Sequence, residues 1–256
     1  MTMTTVAVLN QKGGVGKTTD TINLGGALAE QGRRVLLVDL DPQGNLTSGL
    51  GIERLQGETL PEAMLNSCSP EQARALVRQH SEGLYLIPSS VDMFRLPRKL
   101  NSERAAHERL RRVLRHLDDT FDVCLIDCRP GLDVDTDAAL YAAQSVLVPV
   151  DVDEFSIEAL SQLLAQMQTL EQELEQPSPQ VLGLVVNRVI KPLSAINLAV
   201  MEQLRDSGLP VLAEIPIRSI LAEARNSRLT ITQYLPKSDT AQMFRDLAKT
   251  SGLVAG

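Results

Sequence analysis

Tryptophan is absent and aromatic residues make up only 3% of the 256 residues. A core built from this chain must be aliphatic, which suits a sheet covered by helices on both faces. Cysteine is scarce: Cys68, Cys124 and Cys128 are odd in number and lack C-x-x-C spacing. That argues for a reducing compartment and against a disulfide framework or a zinc site. Cys124 and Cys128 fall in the run VCLIDC, where a thiol reads as a small buried hydrophobe. Long apolar runs are also missing. None approaches the ~18–20 residues that span a bilayer, and the opening MTMTTVAVLNQKGG has no charged segment ahead of an apolar one. A cytoplasmic protein without membrane contact is expected. There is no basic excess either: 25 Lys and Arg face 32 Asp and Glu, a formal net charge of −7. Bulk charge therefore opposes nucleic-acid binding, and any DNA contact must come from a local basic patch.

What is present is ordinary for a globular chain: 43% hydrophobic and 22% charged residues. The length accommodates one large α/β domain or two small ones, and the absence of a linker favours a single domain over 1–256. Short apolar runs rich in Val, Leu and Ile predict strands at 5–10, 34–40, 84–88, 122–127, 145–150, 181–187 and 210–216. They lack strict alternation, as strands buried on both faces do. Helical spacing predicts helices over 17–31, 101–117, 155–175, 193–207 and 239–250, the third ending before Pro177 and Pro179. The segment 175–180 reads as a loop. Alternating strands and helices give a doubly wound, mainly parallel α/β sheet with helices on both faces.

Residues 11–19 carry the chemistry. Gln11, Lys12, Gly13, Gly14, Val15, Gly16, Lys17, Thr18 and Thr19 follow an apolar strand and open a helix, the setting a phosphate-binding loop needs. Glycines let the backbone curl so that N–H groups converge on phosphate oxygens, and the helix adds its positive end. Lys17 would reach the β- and γ-phosphates, Thr18 a Mg²⁺ ion and Thr19 the α-phosphate. Gln11 stands where the strict G-x-x-x-x-G-K-[ST] pattern has glycine, so the loop is a variant with Lys12 before two glycines. A chance K-G-G-x-G-K-T in such a chain is roughly a one-in-10⁵ event. Lys12, at the outer lip, does not easily fold back onto the same phosphate. It can reach a nucleotide held by a second subunit across a two-fold axis.

Three carboxylates end strands. Asp39 and Asp41 alternate along one strand end and Asp127 closes LID. Ligands of open parallel sheets bind beyond the carboxyl ends of the strands. Asp127 is expected to hold a Mg²⁺-bound water and Asp41 to position or deprotonate the attacking water. Asp39 would support Mg²⁺ or orient the loop.

NQKGGVGKTT, then VLLVDLDPQGNLTSGLG, then LIDC-x-P, with VPV at 148–150 and PKSDTAQMFRDLA near the end, resembles the deviant Walker A ATPases, and within them the ParA/Soj branch. The likeness runs from about residue 5 to 250. It implies an ATP sandwich dimer in which Lys12 crosses to the partner's phosphates. It further implies non-specific DNA binding by that dimer, slow hydrolysis stimulated by a ParB-like partner, association with the nucleoid in the ATP state, and service to plasmid or chromosome segregation. It makes Asp41 the hydrolytic residue and Asp127 the Mg²⁺-water ligand, with Asn187 and Pro216 flanking the adenine.

Three departures from the family pattern stand out. Asp20 occupies a place usually small or hydroxylic and is expected to face outward, away from triphosphate. Arg129 replaces a proline, with Asp133 or Asp135 available to neutralise it. Ile217 and Ile220 stand where the family carries DNA-contacting arginines. Arg188, Lys191, Arg218, Arg225 and Arg228, with Arg205, are the nearby substitutes. Basic clusters lie at 95–99 and 104–115, and the second reads as a salt-bridged exposed face, with a ParB-docking or DNA surface as the alternative. His80, His107 and His116 have no metal-like spacing. A MinD-like membrane-positioning ATPase would need a basic amphipathic C-terminal helix, which RDLAKTSGLVAG does not resemble. An iron-protein reductase would need cysteines at a pocket rim. An ATPase positioning other cargo differs only in its partner. No appended DNA-reading motif is expected ahead of the loop.

Overall fold

The structure is a computed structural model that describes residues 2–55, 57–103 and 105–254. Its strands are β1 (Thr4–Val8), β2 (Val35–Asp39), β3 (Arg78–Ser81), β4 (Leu84–Ile87), β5 (Val123–Asp127), β6 (Ser145–Asp151), β7 (Gln180–Val189) and β8 (Val211–Pro216). Among the described residues they form an eight-stranded sheet in the order β3-β4-β2-β5-β1-β6-β7-β8. Every pairing is parallel except β3 with β4. All seven predicted strands are there. β3, of sequence RQHS, was not predicted because it carries no apolar run. It is a half-exposed edge strand turned back at Gly83, whose φ is +72°.

The helices are α1 (Lys17–Glu30), α2 (Asn45–Gly49), α3 (Leu60–Leu65), α4 (Pro70–Ala75), α5 (Leu96–Leu100), α6 (Arg109–Arg115), α7 (Val134–Ala142), α8 (Phe155–Leu174), α9 (Ala195–Asp206), α10 (Ser219–Asn226), α11 (Ile231–Tyr234) and α12 (Asp239–Thr250). The helix predicted over 101–117 is a correction. Regular helix covers only α6, after a 3₁₀ turn at Ala106–Glu108, because Ala105 sits at φ +50° and a left-handed residue cannot continue an α-helix. Arg104, in the basic run expected at 104–115, lies outside the described residues. In the rest of that run Arg109 pairs with Glu103 and Arg112 with Glu108, whereas Arg111 bonds Gln176 and neither it nor Arg115 has a salt bridge among the described residues.

Period-two alternation sends neighbouring strand residues to opposite faces, and both faces are apolar. Leu36, Val38, Cys124, Ile126 and Val148 pack with Leu114 of α6 and Leu163 of α8. Val35, Leu37, Val8 and Leu125 pack with Leu24 and Leu28 of α1 and Phe244 and Leu247 of α12. This double covering explains why the strands read as continuous apolar runs. Cys124 and Cys128 are buried, and burial pushes both thiols up, the expected behaviour of inert core cysteines.

The topology also fixes where a ligand goes. From β1 the chain crosses over to β2 on one side, returns to β5 beside β1, and then continues to β6 on the other side. The carboxyl ends of β1, β5 and β2 thus lie side by side, with Val8, Asp127 and Asp39 in register. This is the reversal point at which doubly wound sheets open a crevice.

Phe244 is fully buried between α12 and the α1 face of the sheet. Phe244→Ala should lower unfolding stability by about 3–5 kcal/mol through lost burial and a residual cavity. Urea denaturation with an unchanged slope would show it; a loss under about 1 kcal/mol would mean that α12 is not part of the cooperative core.

Candidate functional site

Asn10 stands two residues beyond the end of β1, and the chain then turns through residues 11–16 into α1. Asn10 organises the turn with three groups. Its Nδ2 donates to the Pro149 carbonyl at 2.7 Å, its Oδ1 accepts the Lys12 N–H at 3.0 Å, and its carbonyl accepts from Lys17 Nζ at 2.9 Å. Lys17 Nζ also donates to the Lys12 carbonyl at 2.9 Å. The lysine therefore closes the loop on itself. Burial lowers its pKa, while Asp127, Cys128 and Asp41 act the other way. Of the three glycines, Gly14 (φ +77°) and Gly16 (φ +101°) take left-handed backbone, whereas Gly13 does not. Gly16 is the N-cap of α1, and a Cβ there would lie 2.6 Å from Asn187 Nδ2. Val15 is buried beneath the loop, and Gln11 reaches Gln162 with its side chain.

The carboxylates meet at the same strand ends. Asp127 Oδ2 accepts the Thr18 hydroxyl at 2.7 Å, while its Oδ1 is buried with no protein partner. Burial pushes its pKa well above the carboxylate range, and the neighbouring Asp39 charge adds to this against the Thr18 bond and Lys17. Asp39 is fully committed. Oδ1 accepts the Asp41 N–H at 3.1 Å, and Oδ2 accepts the N–H and hydroxyl of Thr47 at 2.8 and 2.6 Å. Burial raises its pKa too, against those hydrogen bonds. Asp41 sits half-buried at the mouth. Its Oδ1 accepts the Gln43 N–H at 2.9 Å, and its carbonyl accepts from Ser89 Oγ at 2.7 Å.

A cleft of about 230 Å³ runs from this loop along α1 to β8 and α10. Gly14, Gly16, Thr19 and Asn187 line one end, and Ile215, Pro216, Leu221 and Leu229 give the other an apolar wall. Polar groups converging on one end and an apolar slot at the other suit phosphates and a base. Arg188, Arg218 and Arg225 also line it.

Asp20 is a correction. Expected to face outward, it is completely buried and hydrogen-bonded to Asn187 Nδ2 at 2.6 Å. The physical reason is the Asn187 amide, which gives the carboxyl a donor inside the fold, and burial there pushes its pKa up. Arg129 is neutralised as anticipated, by Asp135 at 2.7 Å and by Asp133. The basic residues divide. Arg188 pairs with Asp151, Lys191 lies 3.6 Å from Glu214, and Arg205 lies 2.7 Å from the same glutamate. Arg218, Arg225 and Arg228 are exposed, and no salt bridge holds them among the described residues. Sequence reasoning missed the acids that hold Lys12: its Nζ bonds Asp153 and lies 3.9 Å from Asp151. Burial works against it, but Lys12 and the Ser156 hydroxyl hold the Asp153 carboxyl below its usual range. The acids follow the predicted strand 145–150 directly, and that position was the available signal.

A glycine-bent loop on a strand end, a helix N-terminus aimed into it, a lysine within it and an aspartate on the neighbouring strand define a P-loop ATPase. A family model described as an AAA domain matches residues 3–178. The sporulation initiation inhibitor protein Soj of Bacillus subtilis is 35% identical over 248 residues, covering 95% of this chain and 96% of that protein. The chromosome-partitioning ATPase Soj of Thermus thermophilus is 37% identical over 246 residues, covering 95% and 93%. Cobyrinic acid a,c-diamide synthase from Mycobacterium smegmatis, solved with a bound ATP analog and magnesium, superposes with a TM-score of 0.81 at 34% identity, covering 96% of this chain and 93% of that one. The chain belongs to the ParA/Soj family of deviant Walker A ATPases.

It is an ATPase, with ATP and Mg²⁺ as its ligands. The donor set fits the metal. Among the described residues no three His, Cys, Asp or Glu side chains converge on one point. Mg²⁺ prefers one or two protein oxygens with water and phosphate completing its shell. The Thr18 hydroxyl and the partnerless Asp127 Oδ1 supply such a pair. No helix among the described residues is long and apolar enough to cross a membrane.

Gly16→Ala should weaken binding of a fluorescent ATP analogue by at least about tenfold, because a left-handed alanine costs ~1–2 kcal/mol and its methyl meets Asn187. Gly32→Ala is the control. That residue has φ +85° with nothing within 4 Å of a Cβ, so the same strain there should leave nucleotide affinity unchanged. Equal affinity losses in the two variants would refute the assignment of the loop.

Proposed function

We propose that the chain is a DNA-partitioning ATPase whose ATP-bound dimer holds DNA without sequence preference and lets go on hydrolysis. The observation that carries this reading is the placement of unpaired arginines: Arg218 and Arg225 lie on the wall of the same cleft as Thr19 and Asn187. They bracket α10 seven residues apart, close to two helical turns, and so share a face. Nucleotide occupancy and the basic patch thus have a wall in common. The partitioning name of the Thermus thermophilus relative supports the same conclusion.

In this reading the loop N–H groups of residues 11–19 and Lys17 bind the triphosphate, Thr19 meets the α-phosphate, and Asn187 and Pro216 hold the base. Thr18 and Asp127 hold Mg²⁺, which when bound neutralises charge on the β- and γ-phosphates. Asp41 positions the attacking water and accepts its proton. Asp39 orients the Asp41 loop, since both of its oxygens are already used there and on Thr47. Lys12 leaves Asp153 for the partner's phosphates. A half-exposed ion pair of this kind, still reached by solvent, is worth on the order of 1 kcal/mol, so a triphosphate can displace it. Two subunits together present six arginines, where one subunit presents three. Each phosphate contact adds a salt-sensitive increment, which is how an acidic chain gains DNA affinity only as a dimer. A ParB-like centromere-binding protein is the stimulating partner. The ATP form is nucleoid-associated in the cytoplasm. One domain spans the chain.

DNA binding by the ATP, ADP and nucleotide-free forms across a salt series tests the switch. Only the ATP form should bind, with log K against log salt falling at a slope of about −5 for six contacts, flattening when Arg218, Arg225 and Arg228 become Ala. Equal binding in all three states, or binding indifferent to salt, would remove the proposal. Lys12→Ala should bind ATP yet stay monomeric by light scattering; ATP-dependent dimerisation at wild-type levels would deny Lys12 its crossing role.

A further inference from the structure

Two asparagines stand on the wall of the cleft, and only one has a free end. Asn23 is fully engaged by the backbone: its Nδ2 donates to the Thr19 carbonyl at 2.8 Å and its Oδ1 accepts the Ile231 N–H at 2.7 Å. Asn187, at the carboxyl end of β7, uses its nitrogen twice. Nδ2 donates to the Val15 carbonyl at 2.9 Å and to Asp20 Oδ2 at 2.6 Å. A backbone carbonyl can only accept, so Val15 decides which branch of the amide is nitrogen. Two acceptors consume both of its hydrogens. No donor among the described residues bonds Oδ1, and that oxygen is not among the buried atoms lacking a partner. It is therefore open to the cleft that Asn187 lines.

Asp20 is what completes this arrangement. It lies on α1 behind Asn187, completely buried and off the cleft wall. Among the described residues its one side-chain hydrogen bond is with Asn187, and its other oxygen has no partner. A carboxyl buried at such cost with a single hydrogen bond is rarely idle. Packing alone does not account for it, because an apolar side chain would fill the space without the penalty.

We infer that Asp20 is a positioning residue for base selection: by accepting the second amide hydrogen of Asn187 it holds the carboxamide with Oδ1 facing the cleft, as an acceptor for the exocyclic amine of adenine. The same oxygen repels the 6-oxo group of guanine, so one orientation both attracts the right base and rejects the wrong one. This rests on reading the cleft as the ATP site. It goes beyond that reading by making nucleotide choice depend on a buried residue that never touches the base.

The test measures binding and hydrolysis of ATP, GTP and purine riboside triphosphate, which lacks the amine, in the wild type, Asp20→Leu and Asp20→Asn. In the wild type the riboside should bind about tenfold more weakly than ATP, and GTP more weakly still. Leucine keeps the branched skeleton, with somewhat more bulk, but removes the acceptor, so D20L should lose about tenfold of its ATP-over-GTP preference, chiefly in KM. Asparagine retains an acceptor oxygen, and D20N should restore the preference. A wild type indifferent to the base, or a D20L variant with unaltered preference and a reduced kcat, would overturn the inference. Should D20L fail to melt cooperatively, Asp20→Ser, which is too short to reach Asn187, replaces it with the same expectation. Failure of the wild type to bind ATP at all would instead overturn the reading of the cleft.

Discussion

The site depends on a buried ammonium that is satisfied before any ligand arrives. Lys17 Nζ rests on the carbonyls of Asn10 and Lys12, both members of the turn it must hold open. Leaving an ammonium unpaired at this depth would cost several kcal/mol, so the lysine and the turn impose each other's shape. The loop is then pre-curled around the space a phosphate takes, and binding does not have to order it first. Asn10 ties this turn to β6 through the Pro149 carbonyl, so the cradle is attached to the middle of the sheet.

A second chain of contacts runs from the metal side to the mouth. Asp127 and Asp39 are neighbours in the β5–β2 ladder. Asp127 bonds Thr18 of the loop, and Asp39 bonds the Asp41 N–H and Thr47. Thr47 Oγ1 accepts the Ser89 N–H at 2.9 Å, and Ser89 Oγ returns to the Asp41 carbonyl. Asp41 is thereby held by its own backbone from two directions, leaving its carboxylate at the surface. Burial raises the pKa of both acids, with the Asp39 charge adding to the shift of Asp127 and the Asp41 charge to that of Asp39, and a bound divalent cation would oppose this.

Much of this was legible in the sequence because the signals are local. Seven strands announced themselves as apolar runs, and the strand–glycine–helix context placed residues 11–19 without ambiguity. The carboxyl-end rule brought Asp39, Asp41 and Asp127 together. The misses at Asp20 and Lys12 share one cause: side chains whose meaning comes from residues far along the chain. Asp20 looks like a helix-start acid, and only its contact with Asn187, 167 positions away, turns it inward. Lys12 carries no sign of Asp153, 141 residues on. β3 has no apolar pattern and exists because β4 offers it an edge. The helix foreseen over 101–117 had the right spacing but not the backbone, since Ala105 breaks it.

The distribution of ion pairs supports the proposal that this acidic chain binds DNA conditionally. Asp151 and Asp153 between them engage Arg188 and Lys12, and Glu214 engages Lys191 and Arg205. Most cations near the nucleotide are thus neutralised within the single chain. The surplus left over is confined to the ends of α10, beside the apolar wall of the cleft. Three separated arginines against a net charge of −7 give weak, strongly screened attraction to a polyanion. Doubling them in the proposed dimer would multiply the binding constants of the two patches, because the second contact becomes intramolecular. Releasing Lys12 toward a neighbouring triphosphate would at the same time free Asp153, so the proposed assembly would redistribute charge among these few residues.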